Sequence, residues 1–259
     1  MPNAAWAWEF LRRNKQYRKD FTKAFRDSPS VEELVTGSRL IIGKRRYQKA
    51  RDWGLLFFAD PDFNALTTEV FWKPSAFQST VHVELGDPMI ETKHIHSNFG
   101  CVDESVILSK LCDHRVLFES INQSLHVVLN TRYYWFQLYC DTKHPNGDEA
   151  IIRFKVDGAS HSLGRIKTIE QLLNIAHETG EEINQLASAN RAKVLGESIT
   201  ALDIKRYGGT YKDIACALVG TKRTENEWEN GHSALKEKAR RALVRGRKYR
   251  DGEYLSLLE

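Results

Sequence analysis

The chain of 259 residues contains no Gly-x-Ser-x-Gly, no dinucleotide fingerprint and no recognisable metal framework, so no specific pattern in it supports an enzyme. The nearest approach to a phosphate loop is GSRLIIGK at 37–44, which has five residues between its glycines instead of four. Arg45 also stands where a magnesium-binding Ser or Thr belongs. His94 and His96 could present both rings on one face of a strand. With Cys101, Cys112 and His114, however, they match no zinc spacing, and neither a metal nor a cofactor is expected. The four cysteines, Cys101, Cys112, Cys140 and Cys216, lack paired spacing, which argues for a reducing compartment. No secretory signal and no apolar run of ~18 residues occurs, so no membrane is expected and the cytoplasm is the implied location. Internal repeats and low-complexity tracts are lacking as well.

Hydrophobic residues at 41% and charged residues at 28% are ordinary for a globular chain able to form one large or two modest domains. Residues 4–25 read as a helix pair around Trp6, Trp8, Phe10, Tyr17, Phe21 and Phe25, with basic residues on a solvated outer face. Lys44, Arg45, Arg46, Lys49 and Arg51 form a basic run, read as an exposed loop or a secondary nucleic-acid contact. WGLLFFA at 53–59 has strand length and closes on Asp60-Pro61-Asp62; 69–72 and 80–85 read as further strands. From Arg115 to Asp157 the pattern is β-rich, with strands at 116–118, 125–130, 133–140 and 150–156 and a strong turn at 144–148. Thr168 and Gln171 read as a capping box opening a helix, and 181–195 as another. The expected fold is α+β, with an N-terminal domain at 1–86, a linker at 87–112 and a domain at 113–259 whose end is all-helical.

The chain is organised around Ile199 to Arg250. A first amphipathic segment ends at Gly208-Gly209, and Thr210 with Asp213 forms the N-terminal capping signal of a helix that stops at Gly220. Ser233 caps a third helix in which Leu235, Ala239, Ala242, Leu243, Gly246 and Tyr249 share one side. From Lys236 to Arg250 this helix carries eight basic residues against the single acid Glu237, an excess of seven, while the whole chain carries only +4. Such an excess suits a surface that meets phosphates; the competing reading is a solvated basic face with no partner. Residues 221–232 separate the second and third helices, twelve where an ordinary helix-turn-helix has three or four, and Trp228 is expected to pack that long turn down.

Gly209 to Ala215, Trp228, Arg240-Arg241 and Gly252 to Leu258 together resemble the extended-turn helix-turn-helix domain of proteobacterial mobile elements. Residues 6–17, WGLLFFADPD and VFWKP resemble the N-terminal regulator domain that accompanies it in transcriptional activators of integrative and conjugative element transfer. The resemblance implies a DNA-binding activator of excision or transfer genes, with promoter duplex DNA, a small antiactivator of the same family and RNA polymerase as partners. It also implies that the N-terminal domain docks on the helical domain away from DNA. In an ordinary helix-turn-helix the first turns of the recognition helix read base edges. Ser233, Lys236, Glu237, Arg240 and Arg241 are therefore the readout candidates, and Lys212, Lys222, Arg223, Arg245, Arg247 and Lys248 the phosphate contacts. The alternative is a protein-interaction regulator that binds another regulator in place of DNA.

Overall fold

A computed structural model describes residues 1–24, 28–34, 37–86, 115–130, 134–142, 150–156, 162–176, 185–229 and 233–259. The chain begins with α1 (Asn3–Leu11) and α2 (Lys15–Ala24). Helix α1 is apolar almost all round, and Ala4, Ala5, Ala7, Trp8, Phe10 and Leu11 are buried. Asn14 turns the chain into α2: its side-chain oxygen accepts from the backbone N–H groups of Gln16 (2.8 Å) and Tyr17 (3.0 Å), satisfying donors that a helix start leaves open. Its amide donates to the carbonyl of Arg250 at 2.9 Å, so one side chain ties the first helices to the far end of the chain.

Among the described residues one mixed sheet runs in the order β1-β2-β4-β5-β6-β3-β7. Its strands are β1 (Ser30–Glu33), β2 (Arg39–Ile42), β3 (Val81–Gly86), β4 (Arg115–Glu119), β5 (Leu125–Asn130), β6 (Trp135–Cys140) and β7 (Ile151–Lys155). β2 pairs in parallel with β4, and β3 in parallel with β6, so strands before residue 87 alternate with strands after 114 in a single sheet. The period of two assigns side chains to faces. Leu117, Val127, Leu129, Phe136 and Leu138 meet α4 (Ser162–Ala176) through Leu172, Ile169 and Ile175. Val116, Phe118, Val128 and Trp135 face the other way, into a larger core shared with both ends of the chain.

After α4 come α5 (Gln185–Arg206), α6 (Tyr211–Val219), α7 (Thr221–Glu229) and α8 (Ser233–Arg250), closed by a short 3-10 turn at Glu253–Leu257. The N-terminal helices pack directly on this group. Phe10 stacks on Tyr249 with centroids 4.9 Å apart, Arg13 holds Asp203 through two bonds of 2.8 Å, and the Tyr254 hydroxyl donates to the Trp53 carbonyl at 3.0 Å.

Several local expectations need correction. The apolar run 53–59 is no strand: among the described residues it contributes only a bridge between Leu55 and Trp72, because Gly54 turns the backbone at φ +76°. Leu55, Leu56, Phe57 and Ala59 are buried by the helices and aromatics that wrap them, not by sheet pairing. The 69–72 segment likewise supplies only that bridge, and Gln137 satisfies the Trp72 backbone from the sheet. Thr168 opens no helix; it lies within α4, its hydroxyl donating to the Gly164 carbonyl at 3.0 Å. The two segments expected on either side of Leu195 are one continuous helix, α5. The residues weighed and set aside as a metal cluster, His94, His96, Cys101, Cys112 and His114, and the expected turn at 144–148 lie outside the described residues. Among the described residues no helix is long and apolar enough to cross a membrane.

Candidate nucleic-acid interface

Helix α6 starts as its sequence requires. Thr210 is extended (φ −91°, ψ 175°), its hydroxyl oxygen accepts from the Asp213 N–H at 3.2 Å, and its own N–H donates to the Asp213 carboxylate at 2.7 Å. Two donors of Thr210, its N–H first and then its hydroxyl at 2.8 Å, hold the Asp213 carboxyl below its usual range. Gly220 ends α6 at φ +93°, and α7 begins at the next residue. Nine of the twelve residues expected to form a long turn are therefore helical. Thr224, fully buried, donates to the Gly220 carbonyl at 2.9 Å, and Arg223 pairs with Glu227 one turn on at 2.7 Å. The expectation of a turn failed because five of these nine residues are charged and Trp228 is the only large apolar one, so no apolar period marks the helix. Trp228 is half-buried against the main core, and α7 itself is the brace between α6 and α8.

Helix α8 divides cleanly. Leu235, Ala239, Ala242 and Leu243 are at most 4% exposed, and a side-chain carbon at Gly246 would sit 2.6 Å from the Ser198 carbonyl oxygen on α5. Small residues thus let the α5 and α8 backbones approach closely. Outward stand Lys236, Arg240, Arg241, Arg247 and Lys248, all exposed, with Val244 between them. Glu237 lies among them and is already engaged: Arg240 grips it through bonds of 2.7 and 2.8 Å, and Arg241 approaches at 3.6 Å. The Arg240 guanidinium keeps the Glu237 carboxyl below its usual range, and the Glu237 carboxylate in turn raises Arg240. One carboxylate thereby positions two arginines, and Arg240 uses two of its five N–H donors on it.

The other expected contacts separate. Arg245 is half-buried and donates to the Ser198 hydroxyl at 2.8 Å, so it binds α5; Lys238 does the same through Glu197 at 3.0 Å. Lys248 lies 3.7 Å from Glu253. Lys212 stands in the first turn of α6, and Lys222 and Arg223 in the first turn of α7, outside the α8 row. The Ser233 side chain lies outside the described residues. Beside the C-terminal end of α8 the structure assembles a cleft of about 360 Å³ that sequence reasoning missed, where Lys15 of α2 and Lys205 and Arg206 of α5 join Arg247. Its members come from three distant segments, so no local signal marks it.

Residues 155–259 match the family model described as "T6SS, Transcription factor, DNA binding domain", which contains α4 to α8. Residues 1–58 match the "Proteobacterial transcriptional regulator-like domain", which contains α1, α2 and the first two strands. No curated protein matches the chain. Both models are of regulator domains, which are not enzymes in general, and the first supports DNA as a partner. Together they indicate a proteobacterial transcriptional regulator with a DNA-binding domain.

Proposed function

We propose that the chain is a transcriptional activator that lays the outer face of α8 on promoter DNA. The observation that carries this reading is the division of α8, with an inner face of Leu, Ala and Gly and an outer face of cations fanned around Glu237. Lys236, Arg240 and Arg241 are assigned to base edges, Glu237 to positioning the two arginines, and Arg247 and Lys248 to the phosphates. Lys15, Lys205 and Arg206 extend the phosphate track past the end of the helix. Residues 1–86 are assigned the contact with RNA polymerase and 113–259 the contact with DNA, with 87–112 between them; the two parts share one sheet, so they are roles within a joined body. The resemblance to activators of conjugative-element transfer supports excision or transfer genes as the target. The T6SS wording of the matched family supports a second gene set. An antiactivator role, with a protein in place of DNA, has the basic face against it.

Fluorescence anisotropy on promoter fragments across a salt series tests the DNA reading. Arg240→Glu with Arg241→Glu is expected to weaken binding by ~100-fold while leaving the melting curve in place. Unchanged affinity would remove α8 from the interface. Reporter fusions to transfer genes and to T6SS genes, with and without the chain, separate the two targets and show whether transcription rises.

A further inference from the structure

The sheet side of the molecule holds a cavity of about 350 Å³ to which α5 to α8 contribute no lining residue. It lies where β5 and β6 meet the loop after β2, helix α3 (Gln48–Asp52) and the turn at 73–75. Its charge has one sign: Arg45, Arg46, Arg51 and Lys73 line it, and among the described residues no Asp or Glu does. The basic run read from sequence as an exposed loop therefore forms one wall of a concave site. Ser120 and Ser124, bonded hydroxyl to hydroxyl at 2.7 Å in the β4–β5 hairpin, stand on the opposite side.

His126 forms part of the wall and is 3% exposed. Its ring lies against Tyr139 at 4.9 Å and Phe118 at 5.9 Å, both also lining residues, so it is firmly placed. Its Nδ1 is buried and has no protein hydrogen-bond partner, which is uncommon for a buried polar atom. Burial first, then the charge of Arg51, pushes the ring down to about 4, so at neutral pH it is an uncharged group able to make a directional hydrogen bond. Tyr139, its neighbour across the strands, points its hydroxyl to Asp141 at 2.6 Å, and His82 holds the same carboxylate at 2.8 Å; that acid is thereby occupied away from the cavity lining.

We propose that this cavity binds a small molecule carrying a phosphate or carboxylate, its charge met by Arg46, Arg51 and Lys73 against a wall that includes the firmly placed His126 ring. The volume is that of a metabolite site, far too small for a nucleic-acid duplex. The assignment is independent of the DNA reading, since the two sets of residues do not overlap.

Isothermal titration calorimetry of the full chain with inorganic phosphate, ribose 5-phosphate and succinate tests it, with imidazole nitrogen resonances of His126 as the local reporter. At least one probe is expected to saturate and to shift the His126 signals. Arg46→Ala with Lys73→Ala is expected to weaken that binding by at least ~10-fold. Arg240→Glu with Arg241→Glu should leave all three affinities alone. The proposal fails if none of the probes saturates by about 10 mM, well below the affinity of a metabolite site. It fails equally if binding survives the cavity pair and is lost with the α8 pair, which would assign the anion to the DNA face.

Discussion

Residues 12–26 carry seven basic side chains and residues 236–250 carry eight, and the fold uses Arg12, Arg13 and Arg18 of the first set differently from the exposed cations of the second. At the N-terminus Arg12 binds Glu9 at 2.7 Å, Arg13 bridges Glu9 and Asp203, and Arg18 bonds Asp62 and the Pro61 carbonyl. These guanidinium groups join segments of the protein to one another. On α8 the acid is in the minority, and Lys236, Arg240, Arg241, Arg247 and Lys248 remain at the surface. A count of charges is the same statement for both stretches. What differs is the location of carboxylates: Glu9 is buried beside its arginines and Asp203 comes from α5, whereas α8 keeps only Glu237 within its own row.

If that contrast is right, single substitutions should divide into those that change stability and those that change binding. The largest stability effect is expected from Arg13→Ala, which leaves Glu9 and Asp203 without a shared partner: about 3 kcal/mol by denaturant unfolding, with DNA affinity of the folded fraction retained. Next comes acid. Burial pushes the Glu9 carboxyl up, but bonds from Arg13, the Ala65 N–H and Arg12 outweigh it and hold Glu9 below its usual value. Its stabilisation is present above the unfolded carboxylate pKa and is lost as pH falls through the folded one. His126, lowered to about 4, stays neutral in the fold while the unfolded chain takes up a proton below about 6.5, so stability also falls between those two values. Its share is about 3 kcal/mol. His126→Phe should remove the loss in the upper part of this range and leave the Glu9 part; an unchanged acid profile would contradict the assignment.

A smaller effect is expected from Trp228→Ala. The ring is half-buried, so about 2 kcal/mol of stability should go, with weaker DNA binding because α7 no longer braces α8. A variant with wild-type melting and affinity would show that α7 does not position α8. The smallest effect belongs to Arg247→Ala: stability within about 0.5 kcal/mol of wild type, and a salt slope of DNA binding reduced by about one. An unaltered slope would move Arg247 off the phosphates and weaken the contrast between the two basic stretches.

Much of the helical end is legible residue by residue. Thr210 and Asp213 cap α6, Gly208 and Gly220 take the positive φ angles at which helices stop, and the inner stripe of α8 is buried as its spacing requires. Strands β4 to β7 also follow from segments that alternate or run apolar, because such a pattern, like a capping bond, is set within a few residues. The run at 53–59 misled for the converse reason: apolar composition reports burial, and a strand needs a neighbour to bond.

What the sequence by itself determined is where helices begin and end and which of their sides is apolar, since both follow from hydrogen bonds and spacing inside one segment. Only the tertiary structure decided which cations are spent and which are presented. Arg13 finds Asp203 across 190 positions, Arg245 turns back to Ser198, and Arg46, Lys73 and His126 meet around one cavity. Electrostatic pairing acts over a few ångströms of space, so its outcome depends on how the chain returns upon itself, which no local pattern records.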